Sequence, residues 1–158
     1  MGMTMEVTGI EELSRKLNAL GERAEEVAAR SLYKGAGVMA DAYTNAASSA
    51  KTAPFRYAVF QKRLPSPEEK AAIQGKVGIA HFDANGSEVN TSIGMSGAGY
   101  VSIHGKAVAV RKIVNAINSG TSFMTKQPVF RKAVSQARGD ASAAIVAEAD
   151  RLINEITK

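Results

Sequence analysis

The apolar positions of the chain first fall into helical spacing at Ile10, Leu13, Leu17 and Leu20, three and four residues apart, after Gly9. Thr8 stands three residues before Glu11, the spacing at which a hydroxyl and a carboxylate satisfy the free amides of a first helical turn. Past Gly21 the period resumes at Ala24, Val27, Ser31, Gly35, Val38, Ala42 and Ala46, which predicts one long or once-broken helix reaching about Ala50. Its inner face is small, so it suits a helix clamped across a sheet or against a symmetry mate, or an ordinary core helix with a thin stripe. From Lys51, Pro54, Pro65 and Pro67 interrupt any helix, and Arg56, Lys62 and Arg63 place charge around Tyr57 and Phe60. A connection of roughly twenty residues is long for a compact domain, and such segments are often functional or ordered only by a partner. Ser66-Pro67-Glu68-Glu69 then reads as a helix start, with Ser as cap and Pro in the first turn, running to about Gln74.

Between Gly75 and Met95 the period changes to two. Val77, Ile79 and His81 alternate with Gly78, Ala80 and Phe82, Asp83-Ala84-Asn85-Gly86-Ser87 supplies a turn, and Val89, Thr91, Ile93 and Met95 alternate on the return. Ser96-Gly97-Ala98-Gly99 reads as a flexible joint, followed by short strands at Tyr100 to His104 and Ala107 to Val110. Nothing between these strands is long enough for a crossover helix, so the pairing is expected to be antiparallel. Val114 to Asn118 fits strand or helix. Beyond Pro128, the stripe Phe130, Val134, Ala137, Ala141, Ile145, Ala149, Leu152 and Ile156 predicts a final helix of about seven turns, with Gly139-Asp140 as a candidate bend. The expected fold class is therefore α+β: an antiparallel sheet of about four strands packed against long amino-terminal and carboxy-terminal helices. The chain reads as a single domain over 1–158, with a loop and short-helix insertion at about 51–75.

Charge adds a polarity to this picture. The chain carries 20 Lys+Arg and 15 Asp+Glu, but residues 51–138 hold thirteen basic and four acidic residues, while residues 1–50 and the last twenty are each net −2. A basic middle between acidic ends points to nucleic acid, to an acidic partner, or to complementarity between copies of the chain. Sparse aromatics and the absence of a recognition-helix or ribonucleoprotein motif weigh against nucleic acid. The lack of Cys removes disulfides, zinc knuckles and thiolate nucleophiles. The polarity of Asp83 to Gly105, the longest nearly uncharged stretch, leads us to expect a soluble protein. The amino terminus carries no secretory pattern, so no export is expected.

Candidate chemistry is thin. His81 and His104 are the only histidines and neither sits in a nucleophile motif; no Gly-x-Ser-x-Gly is present, and Gly94 to Gly99 lacks the Lys-Ser/Thr of a phosphate loop. The acidic pairs Glu11/Glu12, Glu25/Glu26 and Glu68/Glu69 are sequence neighbours that diverge on a helix, which suits solvated faces better than a metal or a carboxylate pair. No enzymatic role, catalytic residue, metal or cofactor is expected.

Two stretches carry a resemblance. In the carboxy-terminal third, Ile117-Asn118-Ser119-Gly120-Thr121-Ser122 is followed after a short gap by Lys126-Gln127-Pro128-Val129-Phe130-Arg131-Lys132-Ala133; near the amino terminus, Val7-Thr8-Gly9-Ile10-Glu11-Glu12-Leu13 precedes an Ala-rich helix and Lys51-Thr52-Ala53-Pro54. This order resembles the head-to-tail joining and tail-completion (neck) proteins of long-tailed bacteriophages, whose pattern is a strand ending in aromatic-Gly-Thr and a long final helix opened by Pro-Phe-x-x-x-Ala. The chain departs from it at Phe55-Arg56-Tyr57-Ala58, where the family has Thr-Gly-x-Leu, at Ser119 in place of the aromatic, and at Pro128-Val129-Phe130, with one residue inserted. The resemblance implies a structural virion protein of the neck or upper tail, made in the host cytoplasm. It would form a six-membered ring of identical subunits that joins the head connector to the tail tube. Its partners would be itself, the connector or stopper, and the tail tube or tail terminator, with a transient contact to channel DNA and none to membrane. The motif residues Gly120, Thr121, Pro128, Phe130 and Ala133 are expected to define the fold. Arg56, Lys62, Arg63, Lys106, Arg111 and Lys112 are the candidate inter-subunit contacts. The rival readings are a small basic DNA-binding protein and a toxin-like or regulatory single-domain protein.

Overall fold

The computed structural model describes residues 10–55, 61–81, 83–85, 88–95 and 99–158. The Thr8 cap, Arg56 to Phe60, Gly86-Ser87 of the predicted turn and most of the 96–99 joint lie outside that set. Two helices open the fold, α1 (Ile10–Glu22) and α2 (Ala24–Ser49), broken at Arg23 (φ −106°, ψ 7°) just past Gly21, as the interrupted period predicts. After α3 (Pro67–Ile73) come six short strands, β1 (Gly78–Ile79), β2 (Asp83–Asn85), β3 (Glu88–Asn90), β4 (Ile93–Gly94), β5 (Tyr100–Ile103) and β6 (Lys106–Ala109). Helices α4 (Val110–Ser119) and α5 (Val129–Ile156) complete the chain.

The backbone of the molecule is α2 lying antiparallel on α5, over about 39 and 42 Å of helix respectively. The small inner face of α2 receives α5 of the same chain. At Gly35 a Cβ would stand 2.5 Å from Ile145 Cγ1 and 3.0 Å from the Ala141 carbonyl oxygen, so the two helices approach through a position only glycine can fill. Helix α5 runs unbroken through Gly139-Asp140, because its buried stripe of Phe130, Ala137, Ala141 and Leu152 continues across them.

The fold is α+β, but the single sheet of about four strands is replaced by three two-stranded antiparallel ladders: β1 with β4, β2 with β3, and β5 with β6. The first two form one hairpin along α2. Pairing runs through Ile79–Ile93 and the Ala80 N–H to Ser92 oxygen bond (2.8 Å), and is found again at Asp83–Asn90. Asp83 to Asn85 are paired strand rather than turn. In the second hairpin His104 (φ 49°) and Gly105 (φ 76°) take the two positive-φ positions of a tight two-residue turn. Val110 opens α4 instead of ending a strand, and 114–118 is helical, because Val110, Ile113, Val114 and Ile117 bury one face of a helix.

The core gathers at the α2 carboxy-terminal, α5 amino-terminal end. Ile73, Met95, Ile103, Ile117, Met124 and Phe130 close there around Ala46, Ala47 and Ala50. Among the described residues, the opposite end holds the helix pair, α1 and Val89 of β3.

Candidate docking surface

The connecting segment and the loop after α4 build one junction. The Arg63 N–H donates to the Phe123 carbonyl (2.9 Å), the Thr125 N–H to the Arg63 carbonyl (2.8 Å) and the Ala53 N–H to Pro65 (3.1 Å). The Gln127 side chain brackets Lys51, accepting from its N–H and donating to its carbonyl, each at 2.9 Å. Both described ends of the long connection are therefore pinned to the core.

Four of the five motif residues have fold-defining tasks here. Gly120 sits at φ 76°, ψ 168°, and a Cβ there would come within 3.0 Å of Lys126. Thr121 Oγ1 accepts from the Met124 N–H at 2.9 Å and so shapes the turn that buries Met124. Pro128 is the residue immediately before α5, where its missing N–H costs nothing. Phe130 is 2% exposed and packs on the Tyr43 ring, centroids 4.8 Å apart; Ala133 lies partly buried beside this core.

Glu69 departs from the expected solvated face. It is buried and accepts from Arg63 through both oxygens, at 2.6 and 2.7 Å, and from the Ser66 N–H at 2.7 Å. Ser66 Oγ in turn accepts from the Glu69 N–H, completing a capping box at the start of α3. Burial pushes the Glu69 carboxyl up, but the Arg63 and Ser66 hydrogen bonds outweigh it and hold the group below the usual carboxylate range. Arg63 also stands over the Phe55 ring, 5.0 Å from its centroid. Phe55 stacks on His104 at 4.3 Å, and His104 Nδ1 lies 3.4 Å from Glu68 Oε2. A chain of contacts thus ties the connection, α3 and the second hairpin's turn together.

Of the candidate contact residues, Arg63 is engaged inside the fold, Arg56 lies outside the described residues, and Lys62, Lys106, Arg111 and Lys112 are exposed. The last two are set close to β5, because Tyr100 pairs with Ala109 and the Val110 N–H donates to the Gly99 carbonyl (3.1 Å). Sequence reasoning missed the exposed aromatics at this end, Tyr100 (76% exposed) and Phe123 (58%). It also missed Gln127, for which no sequence signal exists. Glu69 had one, the Ser-x-x-Glu spacing from Ser66.

The described residues contain no cluster of three or more metal-ligating side chains, and no described helix is long and apolar enough to cross a membrane. Among the open grooves along the helix pair, two are lined mainly by apolar or small side chains. One, of about 470 Å³, runs over Ala42, Ala46, Ala133 and Ala137. The other, of about 480 Å³, lies at the far end between α1, α2, α5 and Val89.

Compared with known proteins, the chain matches no family model, no curated protein and no solved structure.

Proposed function

We propose that this chain is a structural subunit of a long-tailed phage neck or upper tail, closing with copies of itself into a ring between head connector and tail tube. The observation that carries the reading is apolar surface left exposed at both ends of the helix pair, Tyr100 and Phe123 at one end and Val146 near the groove at the other. A ring subunit contacts two neighbours, each standard contact burying about 800 Å² per partner, and two separate apolar faces are what such contacts cover. Arg63–Glu69–Ser66, the tightest polar cluster among the described residues, is closed on itself and holds the fold. The ordered sequence resemblance supplies the virion context.

Light scattering across a concentration series, with negative-stain images of the largest species, tests the reading. Rings formed alone or on adding neck and tail partners are the expected result. The exposed Lys106, Arg111 and Lys112 favour a second reading, a small basic DNA-binding protein. A persistent monomer that retains duplex DNA with a steep salt dependence would replace the first reading by the second.

A further inference from the structure

We infer that the subunits join head to tail, the aromatic, basic end of one copy seating in the carboxylate-flanked apolar groove at the far end of the next. This contact rests on the reading of the chain as a self-assembling subunit and specifies its two faces. The groove of about 480 Å³ is lined by Leu20, Val27, Leu32, Val89, Ile145 and Ile153. The hydroxyl of Ser31 at its floor donates to the Val27 carbonyl at 2.6 Å and asks nothing of an occupant. Its apolar lining continues onto the surface at Val146, 55% exposed, one helical position from the Ile145 wall.

Three exposed carboxylates stand around the rim. Glu25 shares a helix face with Ala28 and Leu32, Asp150 with Val146 and Ile153, and Glu22 ends α1 beside them; all three are exposed. None is ion-paired among the described residues; of the basic residues at this end, Arg23, Arg30 and Arg151 are engaged with Glu26, Glu148 and Glu155, while Arg15, Lys16, Lys34 and Lys158 lie on or at the ends of the same helices.

The opposite end offers the complement. Tyr100 projects from the edge of the second hairpin, 76% exposed, with Arg111 and Lys112 one and two residues past the Gly99–Val110 hydrogen bond that closes its ladder. An exposed aromatic flanked by cations matches an apolar slot flanked by carboxylates in both shape class and sign. The two features sit at opposite ends of a helix pair about 39 Å long, so one copy cannot satisfy its own groove. A contact between unlike faces is the heterologous kind that builds rings.

The test uses three full-length chains followed by sedimentation velocity at low and moderate salt. Tyr100→Asp with Arg111→Glu disables the projecting end; Ala28→Arg with Val146→Arg disables the groove; all four positions are exposed, and circular dichroism verifies folding. Wild type is expected to assemble, each variant alone to stay monomeric, and an equimolar mixture to stop at a dimer, because one intact projection and one intact groove remain. As a second check, Arg111→Glu/Lys112→Glu in the same chain as Glu25→Lys/Asp150→Lys should regain assembly that either pair alone abolishes. Variants that assemble like wild type overturn this contact and leave the ring reading standing. A mixture that stays monomeric while wild type assembles also overturns the contact. A wild type that remains monomeric with and without its neck and tail partners overturns both.

Discussion

Replacing Glu69 by Ala should unsettle the whole fold, although the residue sits in a seven-residue helix at the edge of the core. The carboxylate accepts two bonds from Arg63 and one from the Ser66 amide, and the two side chains are only 18% and 11% exposed. Removing it leaves the guanidinium held between the Phe55 ring and a pocket with no counter-charge, and opens the capping box of α3. Breaking a buried pair costs about 3 to 5 kcal/mol when fully desolvated. The partial exposure here puts the pair near the lower figure, and loss of the cap adds about 1 kcal/mol. The expected destabilisation is about 3 to 4 kcal/mol, a fall in melting temperature of about 10 °C for a chain of this size. Glu69→Gln should cost less but not little, because its amide group confronts the Arg63 donors. Urea unfolding of wild type, Arg63→Met, Glu69→Met and the double variant measures the coupling, expected near 2 kcal/mol, with the double variant far milder than the sum of the singles. Arg30→Ala, which breaks an exposed contact with Glu26, serves as control and should leave the midpoint nearly unmoved. A Glu69→Ala cost below about 1 kcal/mol, or additive single effects, would refute the account of this pair as a buried clasp.

The same pair sets an acid limit: because the folded Glu69 carboxyl is held below its ordinary value, its stabilisation is complete above the unfolded carboxylate range and disappears as pH falls through the folded value. Unfolding midpoints followed from neutral to acid pH should therefore fall more steeply for wild type than for Glu69→Met. Gly120→Ala places a Cβ in a glycine-only backbone region and against Lys126, and thermal melts should show a loss of about 2 to 3 kcal/mol. Gly35→Val drives a branched side chain into Ile145 and the Ala141 carbonyl; chemical denaturation should register at least 2 kcal/mol despite the helix preference gained over Gly.

Helices α1, α2, α3 and α5 were legible because their causes are local, whereas α4 was not, since Val110 read as a strand end and 114–118 fitted either period. Apolar spacing placed α2 and α5 to within a residue or two, and Ser66-Pro67 marked the start of α3, since a cap, a proline and a stripe act within one or two turns of chain. The type and direction of the strands were legible for the same reason: tight turns leave antiparallel pairing as the only route back. What lay beyond the sequence depends on which distant surfaces meet. The small face of α2 could have served a sheet, a symmetry mate or a core, and only the 2.5 Å spacing between a Gly35 Cβ and Ile145 assigns it to α5. The two hairpins stay separate because α2 and the core beside Phe130 bury their apolar sides individually, leaving neither a need to merge. Glu69 looked like half of a solvated acidic pair until the 61–66 segment, hydrogen-bonded to residues 123–125, brought Arg63 over it. The candidate docking ends follow the same division: the charge asymmetry is a property of composition, but its separation onto an aromatic knob and an apolar groove about 39 Å apart exists only once α2 and α5 lie antiparallel.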